Sequence, residues 1–304
     1  MKVTVIKRKQ PIIKNALSIN GNIFAWDSLW AYHPVFVTYK GEYYFTYTGK
    51  RFGKGVKHQI GFAKSKDLKT WEKLKQNPIF TESAKGWDDD FVAHGYIYQK
   101  KNMYYMYYDG SKKGDWLEEI GLATSTDLIH WERHPKNPVF TLGKLWWEKR
   151  HVSRCCIYKE KNMYYMFYAG NDGKWERIGI ASSKSLTSFN RLSKEPVLST
   201  GKPGEWDEMS ISDPRVLKYK NKYLMFYSGI DAKGKERTGL AVSKDLIHWE
   251  KYDKNPILTV SQKGWDSASS SRADVKIING KMYIFYSGRK SKFYSIGMAE
   301  IKFT

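Results

Sequence analysis

The sequence predicts an all-β fold, a five-bladed β-propeller closed by an N-terminal strand, from three observations. A Trp–acid pair recurs five times in 304 residues, at intervals of 61, 60, 59 and 59. Each pair opens a module of short aromatic and β-branched runs bounded by Gly, Asp, Asn or Pro. The last module lacks its fourth run, and an extra run precedes the first pair. The marker pairs are Trp26-Asp27, Trp87-Asp88, Trp147-Glu148, Trp206-Asp207 and Trp265-Asp266.

The second module illustrates the strands. Its apolar runs occupy residues 95–98, 103–108, 120–124 and 130–133, separated by polar turns. None is long enough, or periodic enough at 3.6 residues, to predict a helix. A fixed period of about 60 residues is typical of arrays and rings. We therefore expect each module to form one four-stranded blade, with most aromatics in the core.

The two ends of the chain are expected to meet in the fifth blade. The sequence stops at Thr304, just after a third strand, and residues 10–13 match residues 255–258 at the end of the fourth module. Residues near 3–8 are thus predicted to supply the missing outer strand. Such closure protects sheet edges, so we expect residues 1–304 to form a single domain.

Composition limits the partners. The 52 Lys and Arg residues exceed the 31 Asp and Glu residues, for a net charge of +21, which favours anionic partners. A solvated lysine shell explains much of this charge, and without a zinc finger or RNA-binding motif we do not expect nucleic-acid binding. No run approaches the ~18 apolar residues of a membrane span, and the polar N-terminus does not resemble a signal peptide. We predict a cytoplasmic protein without membrane partner, cofactor or metal.

Functional residues are expected where the modules differ, at the mouth of the central channel. Because an unpaired buried charge is costly, a ring of four potential cations and one acid predicts a ligand site. Asp213 is its first catalytic candidate, and the other four are substrate-binding candidates. The alternative is a self-satisfied ring of salt bridges that plugs the channel. Seven residues after each marker Trp, the ring reads His33, His94, Arg154, Asp213 and Arg272.

Acids found in single modules supply candidates for a second carboxylate. Asp90 and Asp274 are further catalytic candidates; Asp274 follows Arg272 by two residues and is expected on the same strand face. Additional substrate-binding candidates are the acids Asp89, Asp109 and Glu208 and two tryptophans expected to stack on sugars, Trp30 and Trp116.

The loops at the same mouth predict an electrically lopsided rim. Those of modules one and five are cationic, whereas that of module two is acidic. The cations include Lys50, Arg51, Lys57, Arg289 and Lys290, and the acids are Asp109, Asp115, Glu118 and Glu119.

These motifs resemble the five-bladed propeller glycosidases along the whole chain. The likeness rests on the Trp-Asp openings, on second strands such as residues 163–167 (MYYMF) and on third strands such as residues 120–132 (IGLATSTDLIHWE). That superfamily includes arabinanases, xylosidases, invertases and mannoside phosphorylases, so the resemblance implies a carbohydrate-active enzyme. The arabinanase and invertase branches place acids where this sequence has His33, His94 and Arg154, so their triad does not carry over.

The segment Ser212-Asp213-Pro214-Arg215-Val216 resembles the Asp-Pro-Arg motif of the mannoside phosphorylase branch. That branch relies on one carboxylic acid and holds phosphate with basic side chains. The resemblance therefore implies a substrate-binding role for Arg215 and a division of labour between Asp213 and the cationic ring.

The leading hypothesis is a glycoside hydrolase, which needs an acid for the leaving oxygen and a second carboxylate as base or nucleophile. Flanking Arg154 and Arg272 should lower the pKa of Asp213, which suits a base. The alternative is an inverting phosphorylase, in which phosphate held by the ring makes the second carboxylate unnecessary. A carbohydrate-binding propeller and a scaffold for an acidic partner are the non-enzymatic alternatives. The expected ligand is an oligosaccharide or glycoside, neutral or anionic, with or without phosphate.

Overall fold

The computed structural model describes residues 2–53, 55, 57–115 and 117–304, and nearly all of its regular structure is β-strand. Strand Val3–Lys7 (β1) and a short helix, Ala16–Asn20 (α1), precede the repeated units. Within the described ranges, no helix has the length and apolarity needed to cross a membrane.

Five successive units follow, one for each marker Trp. Unit one contains Trp30–Tyr39 (β2), Glu42–Lys50 (β3), His58–Ser65 (β4) and Glu72–Lys73 (β5). Unit two contains Phe91–Lys100 (β6), Met103–Ser111 (β7), Glu119–Ser125 (β8) and Glu132–Arg133 (β9). Unit three contains His151–Glu160 (β10), Met163–Asn171 (β11), Glu176–Ser183 (β12) and Asn190–Arg191 (β13). Unit four contains Ser210–Tyr219 (β14), Lys222–Ile230 (β15), Glu236–Ser243 (β16) and Trp249–Lys251 (β17). Unit five contains Ser269–Ile278 (β18), Lys281–Lys290 (β19) and Phe293–Phe303 (β20).

Within each unit, consecutive strands pair antiparallel. The first strands β2, β6, β10, β14 and β18 contact one another in that order, and β18 contacts β2. The order of contacts thus returns to its start, which brings the beginnings of all five first strands to one place.

The marker tryptophans explain two repeated glycines. A Cβ at Gly49 would lie 2.1 Å from the ring of Trp26, and one at Gly61 would lie 2.6 Å from it. The same contact recurs in every other unit, for example at Gly288 with Trp265. Because nothing larger than hydrogen fits beneath the indole, Trp and Gly recur together.

The acid after each Trp fastens its unit, as the sequence indicates. Asp27 accepts from Tyr47 Oη at 3.0 Å and pairs with Lys73 Nζ at 2.6 Å. The base comes from the outer strand in each case. The other acid–base pairs are Asp88 with Arg133, Glu148 with Arg191, Asp207 with Lys251 and Asp266 with Lys7.

The N-terminal strand completes the fifth unit, as predicted. β1 pairs antiparallel with β20, from Val3 opposite Phe303 to Lys7 opposite Ala299. Lys7 Nζ lies 2.6 Å from Asp266, the position that an outer-strand base takes in the other units. The strand near residues 3–8 therefore replaces both the pairing and the charge of a fourth strand.

Candidate active site

The five ring residues share one uncommon backbone conformation. Each lies where the first strand of its unit shifts register against the second. Left-handed φ values are uncommon for residues with a Cβ and cluster at functional sites. Counting seven residues after each marker Trp therefore identified the same structural position in all five units. The φ angles are 59° for His33, 54° for His94, 52° for Arg154, 54° for Asp213 and 52° for Arg272.

Side chains of the preceding unit hold this conformation. In four of the five units, the ring residue's N–H donates to a second-strand oxygen at 2.7 to 3.1 Å. Asp109 is the only acid in this column, and Ala169 stands in it before Asp213. The donor and acceptor pairs are His33 with Ser287, His94 with Thr48, Arg154 with Asp109 and Arg272 with Ser228.

A cavity of about 640 Å³ opens over the ring, a size typical of ligand clefts. Lys50 and Lys57 reach its wall from unit one, and Asp90 and Glu118 from unit two, which matches the charge asymmetry expected of the loops. The other lining residues are Trp30, Tyr32, Gly55, His58, Phe91, His94, Ser111, Arg154, Arg272 and Tyr294.

His33 and Asp213 form a buried pair across the ring. His33 Nε2 donates to Asp213 Oδ1 at 2.8 Å, and Ser212 Oγ donates to Asp213 Oδ2 at 2.8 Å. Burial alone raises the pKa of Asp213, but the bond from His33 and the charges of Arg154 and Arg272 hold it well below its usual range. Burial lowers the pKa of His33 to about 4. At neutral pH the pair is an ionised carboxylate beside a neutral imidazole.

His94 and Asp109 form a second buried pair with the opposite proton state. His94 Nδ1 lies 2.6 Å from Asp109 Oδ2. Burial, and next the nearby Glu118 carboxylate, raise the pKa of Asp109 well above its usual range. Burial, and next the charges of His33 and Arg154, hold the pKa of His94 well below its usual range. A neutral carboxylic acid beside a neutral imidazole fits these directions.

The two ring arginines line the cavity while glutamates hold them. Arg154 Nη1 donates to Glu176. Arg272 Nη1 lies 3.1 Å from Glu236 Oε2 and donates to Tyr294 Oη at 2.9 Å. A guanidinium has five N–H donors, so both arginines keep donors for an anionic ligand. The charges of both arginines are thus paired, and both guanidinium groups still line the cavity.

A second tier of site residues was not recognised as a column in the sequence, although one member, Glu118, was named among the rim acids. Its members stand two residues before the Ile or Thr that opens each third-strand motif, and three of them line the cavity. The residue type at this aligned position varies among the five units, as it does at the ring position. Comparing the units at this position would therefore have identified these residues from the sequence. The tier consists of His58, Glu118, Glu176, Glu236 and Tyr294.

The structure distributes the remaining candidates unevenly. Asp90 and Trp30 line the cavity, and Asp109 lies buried beneath it. Asp89 accepts from the N–H of Lys113, and Glu208 accepts from loop N–H groups, so both fasten loops away from the cavity lining. Trp116 lies outside the described residues.

Asp274 and Arg215 also lie away from the cavity lining. Asp274 Oδ2 accepts from the N–H of Phe36 at 2.7 Å, and its Oδ1 lies 3.5 Å from Arg215 Nε. Arg215 Nη1 donates to the carbonyl of Cys155. The expected shared face of Arg272 and Asp274 is wrong, because the register shift between Ser271 and Asp274 interrupts the alternation of side chains.

Known proteins match this chain in sequence. A family model described as β-1,4-mannooligosaccharide phosphorylase matches residues 18–155 and 93–300. An uncharacterized protein of Mycobacterium tuberculosis is 28% identical over 205 residues, 64% of this chain and 65% of that protein. A 1,2-β-oligomannan phosphorylase of Thermoanaerobacter sp. is 32% identical over 115 residues, 34% of this chain and 38% of that protein. The matches thus span less than two thirds of these curated relatives.

Solved structures match the fold over nearly the whole chain. The β-1,2-mannobiose phosphorylase from Listeria innocua, solved with β-1,2-mannobiose, superposes with a TM-score of 0.77 at 16% identity, over 97% of this chain and 96% of that chain. At this identity the likeness supports an all-β fold of the propeller type and nothing finer. Because the family match includes every ring residue and most of the sequence, the chain belongs to the mannoside phosphorylase family, glycoside hydrolase family 130.

Proposed function

We propose that this protein, a single five-bladed propeller domain, cleaves mannosidic linkages in oligosaccharides with phosphate as the attacking group. The family description and the names of the Thermoanaerobacter and Listeria phosphorylases support the sugar class and the use of phosphate. The observation that carries the proposal is the pair of arginines, Arg154 and Arg272, on the wall of one sugar-sized cavity.

Phosphate fits this wall. Guanidinium groups bind phosphate oxygens in a forked geometry, and His94, Lys50 and Lys57 line the same cavity. In the proposed reaction a phosphate oxygen attacks the anomeric carbon while the glycosidic C–O bond breaks. A proton passes to the leaving oxygen, so only one acid is required.

Asp213 does not suit that acid role. Its carboxylate is held ionised between His33 and two arginines, and it lies beneath the cavity lining. We propose that Asp213 orients His33 and balances the charge of the arginines beside the reacting sugar. Asp90 and Glu118 are the carboxylates that line the cavity.

Hydrolysis is the second candidate, and one observation favours it. Asp90 lines the cavity, and Glu118 Oε2 is buried without a hydrogen-bond partner among the described residues. Two cavity carboxylates are what an acid–base hydrolysis by water requires.

The test is turnover of β-1,2- and β-1,4-mannobiose with and without phosphate. Phosphorolysis releases mannose 1-phosphate and mannose, whereas hydrolysis releases only mannose at a rate independent of phosphate. Binding of either disaccharide without turnover under both conditions would contradict the proposal and favour a carbohydrate-binding protein.

A further inference from the structure

A chain of hydrogen-bonding groups leads from a buried carboxyl to the cavity. Asp109 Oδ2 lies 2.6 Å from His94 Nδ1, and His94 Nε2 lies 3.3 Å from Tyr32 Oη. Tyr32 Oη in turn lies 3.3 Å from His58 Nδ1. His94, Tyr32 and His58 line the cavity, while Asp109 is 1% exposed behind them. These contacts form a continuous hydrogen-bonded path between the buried carboxyl and the cavity.

Asp109 carries a carboxyl group where three residues of its column carry a hydroxyl. Thr48, Ser228 and Ser287 hold the N–H of a ring residue with a hydroxyl, and Asp109 does so for Arg154 with a carboxyl. A hydroxyl suffices for that structural task in three other units. The carboxyl group of Asp109 can also hold a transferable proton, which the bond to the N–H of the ring residue does not require.

The two oxygens of Asp109 have partners that suit a protonated acid. The N–H of Arg154 donates to both oxygens, to Oδ1 at 3.0 Å and to Oδ2 at 3.1 Å, and Oδ2 also lies 2.6 Å from Nδ1 of His94. Oδ1 can therefore act as the carbonyl oxygen while a proton on Oδ2 faces His94. Burial and the nearby Glu118 raise the pKa of Asp109, against the opposing charge of Arg154. The titratable and charged groups that influence this pair are Tyr32, His33, Glu118, Arg154, Cys155, Asp213 and Arg272.

Resting on the proposed function, we propose that His94 is the catalytic residue that protonates the leaving glycosidic oxygen, and that Asp109 is a positioning residue that stores the proton behind it. Before the step, Asp109 carries a proton on Oδ2 and donates it to Nδ1, and His94 carries its own proton on Nε2. The imidazole thus presents an N–H to the cavity while remaining neutral.

The step is balanced. As the glycosidic C–O bond breaks, the Nε2 proton moves to the leaving oxygen, and the Asp109 proton moves to Nδ1. The pair is left as an ionised carboxylate beside a neutral imidazole. Hydrogen phosphate forms the new C–O bond and loses its own proton on becoming the sugar phosphate. That proton restores the pair, so no other acid is consumed.

The decisive variant is Asp109→Ser, which places at this position the residue that Ser228 and Ser287 already provide in other units. The hydroxyl keeps the bond to the N–H of Arg154 and removes the stored proton. We expect kcat for mannobiose phosphorolysis to fall at least ~10²-fold, the scale of a positioned acid. With 2,4-dinitrophenyl β-mannoside, whose leaving group needs no proton, kcat should fall less than about threefold. A fall of equal size on both substrates would overturn the proposal, because a distorted site affects both.

A readout independent of turnover is the infrared carbonyl stretch of a protonated carboxylic acid near neutral pH. We expect this band in the wild-type protein and its loss in Asp109→Ser. Asp109→Ala, which introduces the residue that Ala169 provides in unit three, separates the lost bond from the lost proton: it should lack the band and also melt earlier than Asp109→Ser. Absence of the band from the wild type overturns proton storage. A wild type that shows the band but cleaves no mannoside overturns the proposed function, and the catalytic use of the pair with it.

Discussion

Two His–Asp pairs lie side by side in this site and differ in where the proton resides. The rings of His33 and His94 are 4.5 Å apart, and their partners Asp213 and Asp109 are each 1% exposed. Burial acts on both carboxyls in the same direction, so it does not separate them.

The surroundings of each carboxyl separate them. Asp213 receives hydrogen bonds from His33 and Ser212 and feels the charges of Arg154 and Arg272, all of which favour the anion. Asp109 has the Glu118 carboxylate nearby, which favours the neutral acid. Identical residue types therefore take opposite roles because of neighbouring charge, as in paired carboxyl sites generally.

The largest effect expected is on the ionised pair. Asp213→Asn keeps the shape of the side chain but removes the charge between the arginines and the acceptor that orients His33. We expect kcat for mannobiose phosphorolysis, measured at saturating substrate and phosphate, to fall about 10²-fold, the scale of a misplaced catalytic group. Asp207→Asn is the matched control, because Asp207 is a buried carboxylate of the same unit that fastens Tyr227 and Lys251. It should lower the melting temperature and leave kcat of the folded protein unchanged; equal losses in the two variants would reduce Asp213 to a structural residue.

The cations between the two pairs are expected to set phosphate affinity. Arg272→Ala removes a donor on the cavity wall and should weaken phosphate binding about 10- to 100-fold, the range for a charge-assisted hydrogen bond. Calorimetric titration with phosphate measures this effect, and binding should also weaken as salt rises. Lys66→Ala serves as control, because Lys66 is an 84% exposed cation outside the cavity. If Arg272→Ala leaves phosphate affinity unchanged, Arg272 has only a structural role, in its ion pair with Glu236.

The two pairs should also give stability opposite dependences on pH. The raised pKa of Asp109 contributes stability below its unfolded pKa of about 3.9, and this contribution is lost as pH rises toward the folded pKa. Asp109→Ser should therefore gain stability relative to wild type as pH rises from 4 to 8. The depressed pKa of Asp213 contributes stability above about pH 3.9 that is lost as pH falls, so Asp213→Asn should be less stable than wild type at neutral pH.

Denaturant unfolding measures these differences, from pH 4 to 8 for Asp109→Ser and from neutral pH to below about pH 3.9 for Asp213→Asn. His33 contributes a loss of stability as pH falls from about 6.5 to 4, opposite in sign to the contribution of Asp109, because unfolded His33 takes up a proton there and folded His33 does not. Parallel curves for the two variants would contradict the assignment of opposite proton states.

The smallest expected effect is that of replacing Glu118, whose carboxylate lies near Asp109. Glu118→Gln removes a charge that raises the pKa of Asp109. If the proton on Asp109 is needed for turnover, the basic limb of the kcat profile should move to lower pH. Glu119→Gln is the control, since Glu119 accepts from the N–H of Leu142 and does not line the cavity. If the basic limb moves in Glu119→Gln, or does not move in Glu118→Gln, the limb does not report the titration of Asp109.

Local patterns sufficed for the units and for the position of the ring. The Trp–Gly contact and the acid–base fastening repeat in every unit. The copies could therefore be aligned without a gap from each Trp to the second-strand Gly, and the residue seven places after each Trp has a left-handed φ. Asp109 was also visible as the only acid in its column. The same alignment did not indicate that the register shift separates Asp274 from Arg272, because alternation holds only in regular strands.

The repeated units, the strand that completes the last one and the five variable residues could all be predicted from the sequence, because each follows from comparing the copies of a repeat of about 60 residues. Two contacts could be seen only in the tertiary structure: His33 contacts Asp213, 180 residues away, and Glu118 lies near Asp109. Those contacts cross between units, and the proton on a buried carboxyl depends on the summed charges around it. Because those charges come from several units, a local sequence pattern does not predict which of the two carboxyls is protonated.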